Sequence, residues 1–369
     1  MNPKKILHVG DLQLGQKHYG NSSRADDVFK ALDKVLGIAS DYDVGTIIFA
    51  GDLFEFRKMP GDVVRRAVDV LDCWRRQHPG VDMIGIDGNH DAFEGAWPAV
   101  LGMRAPEPLS LVVNGPGFRI IAMNYCKPDA FWAELKVLHA KMSQSPMPSV
   151  FVMHYPLGDM LPIGGCSEIT AENTATLLSE MGVEYVAMGD IHNYMEKVVT
   201  TAKGNVTYIY PGSIELTDIN ETLPKSVVLL DATPHIEHER VTFETRPVLR
   251  AVVDDEAAYT ALQLQLKTMT DAGKKPVVEI KVNADVPDLA SRVRTLVHGL
   301  PQSVTSLPKS FVSVKAWDRK EAKVDLAAVI GDWFKPGTIE HQLVSDIVAA
   351  PANLDAVVEA YLKSLNLSR

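Results

Sequence analysis

The chain has 369 residues, 46% hydrophobic and 23% charged, with a formal net charge of −10. This is the composition of a globular protein with room for more than one core, and no apolar run reaches the roughly 18–20 residues of a membrane span. The acidic balance leaves no overall basic footprint for nucleic acid, so any such binding has to be local, metal-assisted or partner-assisted.

Ile6-Leu7-His8-Val9 is an apolar run that ends on Gly10-Asp11 and is read as the first strand. His8 is placed within that strand facing Asp11, in a supporting role. Leu12-Gln13-Leu14-Gly15 follows, then a polar loop, Gln16 to Ser23, in which His18 is read as solvated. Val28, Leu32, Val35, Leu36 and Ala39 share one helical face. Asp41 to Gly45 turns the chain into a second strand, Thr46 to Ala50, which ends on Gly51-Asp52. Pro60-Gly61-Asp62 opens another amphipathic helix, with Val64, Ala67, Val68, Leu71 and Trp74 inward. Arg65-Arg66 and Arg75-Arg76 fall on its outer face as solvated charge. A third strand, Val81 to Ile86, stops at Gly88-Asn89-His90-Asp91. The alternation is that of an α/β fold with a parallel sheet, and the strand before Asp52 is taken as central.

Phe118 to Met123 and Val150 to Met153 are further strands, the second ending directly on His154, with a helix from Asp129 to Met142 between them. The loop Pro156 to Ile169 is rich in Gly and Pro and is expected to face a substrate. Thr170 is expected to cap a helix over Asn173 to Met181, with Gly182 in the C′ position. Tyr185 to Met188 runs into Gly189-Asp190-Ile191-His192, a strand ends in Tyr210-Pro211-Gly212-Ser213, and Ser226 to Asp231 is the last strand of this unit.

Composition changes near Arg246-Pro247. Beyond it the pattern predicts a helix (Glu256 to Met269), a strand (Val277 to Val282), a helix (Leu289 to Leu296) and a strand (Phe311 to Trp317). From about Asp325 to Leu365 two or three helices are expected, with apolar stripes at Leu343, Val344, Ile347, Val348 and at Leu354, Val357, Val358, Tyr361, Leu362. The division is therefore 1–245, a small α/β unit over 246–320, and a helical tail over 321–369 that reads as core or as a partner-docking segment. Met1 to Lys5 leads straight into a strand without a signal-peptide pattern, and Cys73, Cys126 and Cys166 are scattered and odd in number. Both point to a cytoplasmic protein with reduced thiols and no membrane partner.

Five of these strands end on Asp, Asn or His at one sheet edge, where open α/β sheets place their ligands. Two divalent metals about 3.5–4 Å apart can clamp a phosphodiester and stabilise both its attacking and its leaving oxygen. Such a centre needs a bridging carboxylate, for which Asp52 is suited, oxygen and imidazole ligands around it, and an unliganded acid near the leaving group. Mixed Asp, Asn and His donors suit Mn²⁺ or Mg²⁺. No cysteine sits near a motif, which removes a zinc ribbon.

The ordered set resembles the calcineurin-like metallophosphoesterases, and within them the SbcD-type nuclease subunit of DNA double-strand-break repair complexes. The matching stretches are His8-Val9-Gly10-Asp11, Leu14-Gly15 with Tyr19-Gly20 and Arg24, Gly51-Asp52-Leu53-Phe54-Glu55 with Pro60, and Gly88-Asn89-His90-Asp91. His154, Gly189-Asp190-Ile191-His192 and Tyr210-Pro211-Gly212-Ser213 complete it. The resemblance implies a β-sandwich flanked by helices, a small α/β capping domain that binds DNA, and a helical tail. It implies two Mn²⁺ per subunit (Mg²⁺ in its place being possible), one held by Asp11, Gln13, Asp52 and His192, the other by Asp52, Asn89, His154 and Asp190. His90 would be the general acid and Asp91 would orient it. It further implies 3′-to-5′ exonuclease activity on duplex DNA, endonuclease activity on single strands and hairpins, a homodimer, and an SbcC-like coiled-coil ATPase partner.

The chain departs from the family pattern at Gln13 and Asp190, where the family has His, and at Leu216, where it often has Arg beside Glu215. An amide oxygen and a carboxylate can still ligate, with three carboxylates then facing the two cations. Two other readings stay open: a phosphoesterase on small or non-nucleic diesters, and a catalytically weakened scaffold.

Overall fold

The computed structural model describes residues 2–17, 22–91, 97–161, 167–218, 221, 224–273, 276–283, 288–299 and 312–315. In chain order the elements are β1 (Asn2–Val9), α1 (Ser22–Asp41), β2 (Val44–Phe49), α2 (Gly61–Gln77), β3 (Asp82–Gly85), α3 (Trp97–Val100), β4 (Ser110–Asn114) and β5 (Arg119–Met123). Then come α4 (Pro128–Met142), β6 (Ser149–His154), α5 (Ala171–Glu180), β7 (Val183–Gly189), β8 (Met195–Thr201), β9 (Gly204–Tyr210), β10 (Lys225–Ala232) and β11 (Ile236–Phe243). A smaller unit follows: β12 (Val248–Val253), α6 (Glu256–Asp271), β13 (Val277–Asn283), α7 (Leu289–Gly299) and β14 (Val312–Lys315).

The first eleven strands form two sheets, ordered β11-β10-β1-β2-β3 and β4-β5-β6-β7-β9-β8. Period-two alternation along each strand explains how they stack. Ile6, Ile48 and Ile84 of the first sheet meet Ile120, Val150, Val152 and Ala187 of the second in one buried layer. The opposite parity, Leu7, Val9, Ile47 and Phe49, packs under α1 and α2 through Leu32, Leu36, Ala67 and Leu71. Ile121, Phe151 and Val186 pack under α4 and α5 through Phe131, Leu135 and Leu178. The result is a four-layer α/β/β/α sandwich, the helix-flanked β-sandwich that the resemblance implies.

β1 runs parallel to β2 and β2 to β3, and in the second sheet β5, β6 and β7 are parallel. Two expectations need correction. The strand before Asp52 is not central: β1 is the third of five strands, and β2 lies between it and the edge strand β3. The motif-bearing ends also come from two sheets, β1 to β3 in one and β6 and β7 in the other. His8 is corrected with them. It shares the inward parity of Ile6, and its ring reaches across the sandwich to the Tyr185 hydroxyl and the Met188 carbonyl instead of facing Asp11.

α5 begins as its sequence requires. Thr170 accepts from the Asn173 N–H at 3.0 Å while the Asn173 side chain accepts from the Thr170 N–H at 2.9 Å, a reciprocal cap. Gly182 follows with φ +85, a conformation that glycine adopts without a Cβ penalty.

β12, β13 and β14 form a separate parallel sheet whose core is Leu249, Val253, Ile280 and Val282 against Tyr259, Leu262, Leu266 and Val293. At its root Arg246 pairs with Asp27 of α1 at 2.8 Å. The helical stripes expected beyond residue 325, the loop residues His18, Tyr19 and Gly20, and Cys166 lie outside the described residues. Among the described residues no helix is long and apolar enough to cross a membrane.

Candidate metal centre

Asp11, Asp52, Asn89, His154 and Asp190 stand at or just beyond the ends of β1, β2, β3, β6 and β7, where the two sheets share an edge. Asp11, Asp52 and His154 are buried, and one ligand atom from each lies within 4.8 Å of the others. His154 Nε2 is 3.4 Å from Asp52 Oδ1 and 3.6 Å from Asp190 Oδ1. Asn89 donates from Nδ2 to Asp190 Oδ1 at 3.3 Å, and Gln13 from Nε2 to Asp52 Oδ2 at 3.2 Å. His192 is set beside Asp11 by its main chain, since the consecutive N–H groups of Ser213 and Ile214 donate to the His192 and Asp11 carbonyls, and its Nδ1 lies 3.0 Å from Glu221 Oε1.

The glycines before these residues have a steric cause. A Cβ on Gly88 would lie 2.2 Å from Asp52 Oδ1, and one on Gly51, at φ +92, would lie 2.4 Å from His154 Nδ1. The backbone is bent hard at the same place. Five described non-glycine residues have positive φ, and three of them are Gln13 (φ 51), Asp52 (φ 47) and Asp190 (φ 100). Strained residues of this kind persist only where the surroundings over-determine them.

Whether cations fit can be read from the unsatisfied atoms. Among the described residues Asp11 Oδ2, Asn89 Oδ1 and His154 Nε2 are buried without a hydrogen-bond partner. His154 Nδ1–H donates to the Ala50 carbonyl at 2.8 Å, so in the neutral ring the Nε2 lone pair faces carboxylates. That placement is repulsive unless positive charge sits there. The same demand appears in the titration of His154. Burial lowers it, but Asp52, Asp11 and Asp190 outweigh burial and push it up to about 10. Burial, with repulsion from neighbouring carboxylates, raises Asp11 and pushes Asp190 up to about 6. A divalent cation relieves all of these at once, with a hard-donor set that suits Mn²⁺ or Mg²⁺. The residues fit the group.

His90 is beside the cluster and not in it. Its backbone N–H donates to Asp52 Oδ1 at 3.0 Å, and its Nδ1–H donates to the Glu55 carbonyl at 2.8 Å, so Nε2 is the atom left to exchange a proton. The expectation that Asp91 orients His90 is corrected here. The Asp91 carboxylate accepts from the N–H groups of Leu53 (3.0 Å), Phe54 (3.3 Å) and Gly88 (3.1 Å), tying together the two loops that carry Asp52 and Asn89. Burial pushes its carboxyl up to about 6 in spite of those donors.

The Tyr210 to Ser213 stretch closes the floor: Ser213 N–H donates to the His192 carbonyl and Ile214 N–H to the Asp11 carbonyl. Leu216 is buried, so it offers no phosphate contact, and its carbonyl accepts from Arg24, which also binds Glu215 and Asp27. Thr217, Glu221 and Lys225 were not singled out by sequence, and Glu55 stood only as the last residue of the Gly51 to Glu55 stretch with no role attached. Lys225 opens an apolar strand, and nothing local distinguishes a buried ammonium from a solvated one.

The profile of the calcineurin-like phosphoesterase family matches residues 4–194. The chain belongs to the calcineurin-like phosphoesterases. A member of this family is a metal-dependent phosphoesterase, and the Asp11, Asp52 and His154 group is where this one can hold its divalent metal. The chain is similar to "DNA double-strand break repair protein Mre11" of Aeropyrum pernix, at 24% identity over 398 residues covering 95% of this chain and 93% of that protein. It is 28% identical to the protein of the same name from Methanosarcina mazei over 275 residues, 68% of this chain and 40% of that one. The Haloferax volcanii protein is 28% identical over 261 residues, 68% and 54%. This phosphoesterase thus matches nearly the whole of one break-repair relative and about half of two others.

Proposed function

We propose that this phosphoesterase is a Mn²⁺-dependent DNA nuclease of double-strand-break repair. The observation that carries the reading is the cluster of buried carboxylates with unsatisfied donor atoms around His154, with His90 held beside it by Glu55. Asp11, Gln13, Asp52 and His192 would hold one cation, and Asp52, Asn89, His154 and Asp190 the other. Gln13 donates its NH₂ to Asp52, so its Oε1 is the end left for a cation. When bound, the two cations would supply charge neutralisation and a nucleophile at neutral pH. His90 then delivers a proton from Nε2 to the departing oxygen, while Glu55 keeps the ring from turning. Asp91 holds the Asp52 and Asn89 loops at fixed separation.

Support for DNA as substrate comes from the break-repair relatives and their names. The family resemblance supports the finer points: 3′-to-5′ exonuclease action on duplex, endonuclease action on single strands and hairpins, homodimerisation, and an SbcC-like ATPase partner docking on the tail. A cleavage assay on duplex and hairpin DNA in Mn²⁺ tests the reading. His90→Ala should lower cleavage by about 10²–10⁴-fold with metal content and folding unchanged. Loss of metal from that variant would make His90 a ligand instead of an acid. Cleavage of small aryl diesters but not of DNA by the unaltered protein would favour the small-substrate reading.

A further inference from the structure

At the first residue of β10 the chain buries a lysine. Lys225 is 2% exposed, and its Nζ donates to the His192 carbonyl at 2.9 Å, to Ser213 Oγ at 2.8 Å and to Glu221 Oε2 at 2.5 Å. Glu221 Oε1 in turn accepts from His192 Nδ1 at 3.0 Å, and Thr217 Oγ1 contacts both. Residue 192 is therefore gripped at its main chain by the ammonium and at its ring by the carboxylate that the ammonium holds. A carboxylate on Nδ1–H fixes the tautomer with the lone pair on Nε2 and makes that nitrogen a stronger donor. A lysine kept out of water at this cost is hard to account for by packing alone, because an apolar residue of the same shape fills such a space without the desolvation penalty.

We infer that Glu221 and Lys225 are positioning residues that present His192 Nε2 to a cation on the Asp11 side of the centre. The inference rests on the ligand set proposed above. Glu221 sets the ring tautomer and its angle. Lys225 clamps Glu221 and the His192 carbonyl in one geometry, and its charge balances Glu221, so the pair adds no net charge to a site that already carries three carboxylates. The segment that closes the floor is thereby also the segment that aims a ligand.

Titration of the metal-free full chain with MnCl₂ by calorimetry, together with thermal unfolding in chelator, tests this without any nuclease substrate. The unaltered protein should bind two Mn²⁺. Glu221→Gln should weaken one of the two sites by about 10–100-fold and leave the other as it was. Because it also leaves the buried Lys225 ammonium without its counter-charge, unfolding in chelator should shift to lower temperature, and the isotherm is recorded below that transition. Glu221→Asp, which keeps the charge but withdraws the carboxylate from Nδ1, should fall between the two, and Lys225→Met should reproduce the Glu221→Gln isotherm. Two unchanged sites in Glu221→Gln and Glu221→Asp would overturn the positioning role while leaving the ligand set standing. Fewer than two sites in the unaltered protein would overturn the ligand set, and this inference with it.

Discussion

His8 links the two sheets, and its chemistry sets a pH limit on the sandwich. Its Nε2–H donates to the Met188 carbonyl at 3.1 Å, because a carbonyl can only accept, so Nδ1 is left as an acceptor for the Tyr185 hydroxyl at 2.9 Å. A second proton on the ring would turn that acceptor into a donor pointing at a hydroxyl that already donates to it. Burial pushes His8 down to about 3, with the Met188 hydrogen bond opposing it only in part. The folded-state value lies below that of an unfolded histidine, about 6.5, so the contribution is fully present above pH 6.5 and is lost as pH falls toward 3. The whole span amounts to about 4–5 kcal/mol, of which about 2 kcal/mol is gone by pH 5. His8→Gln offers an NH₂ to Met188 and a carbonyl to Tyr185 and carries no charge at any pH. Urea unfolding in chelator at pH 8 and pH 5 measures both proteins, and carboxylate titrations common to the two cancel. The unaltered protein should lose about 2 kcal/mol more than His8→Gln between those pH values. Equal losses would show that His8 does not titrate in this range and would refute the buried, neutral assignment.

Asp91→Ala removes the acceptor of three N–H groups, and at about 1–3 kcal/mol for each orphaned donor it should cost at least about 3 kcal/mol in the same denaturant assay. Arg24→Met strips a buried guanidinium from Asp27 and Glu215 and should cost about 3–5 kcal/mol; a loss below about 1 kcal/mol would mean that Arg246 and Lys30 suffice for Asp27. Asp159 accepts from Lys197 and from the Ala171 and Glu172 N–H groups at the start of α5. Burial raises its carboxyl, but these donors prevail and hold it below the usual range. Its stabilising effect is present above the unfolded carboxyl value and lost as pH falls through the folded one. Asp159→Asn should therefore flatten the acid limb of thermal unfolding, and an unchanged limb would count against it.

Much of this protein is legible along the chain. The strands with fully apolar runs, β2, β5, β6, β7 and β10, are buried on both faces, so continuous hydrophobicity marks them. The Gly-Asp and Gly-Asn-His-Asp punctuation at strand ends marks the centre, because glycine is required wherever Asp52 and His154 press against a neighbouring backbone. The cap of α5 is local chemistry between Thr170 and Asn173, three residues apart.

The strands that the pattern misses, β4, β8, β11 and β12, are sheet edges. An edge strand such as Met195–Thr201 is half exposed, its composition is mixed, and its partner is chosen by the sheet and not by its own residues. The same reason separates the site residues. Asp11, Asp52, Asn89 and His154 announce themselves by position after a strand. That His8 spans to Tyr185, that Asp91 reaches the Asp52 loop and not the His90 ring, and that Lys225 lies buried under His192 are facts of contact between residues 33 to 180 apart in the chain. Sequence determines which groups are present and which way a strand alternates. Only the stacking of one sheet on the other decides which of those groups lose water, and desolvation is what converts an ordinary Lys, His or Asp into a structural or catalytic one.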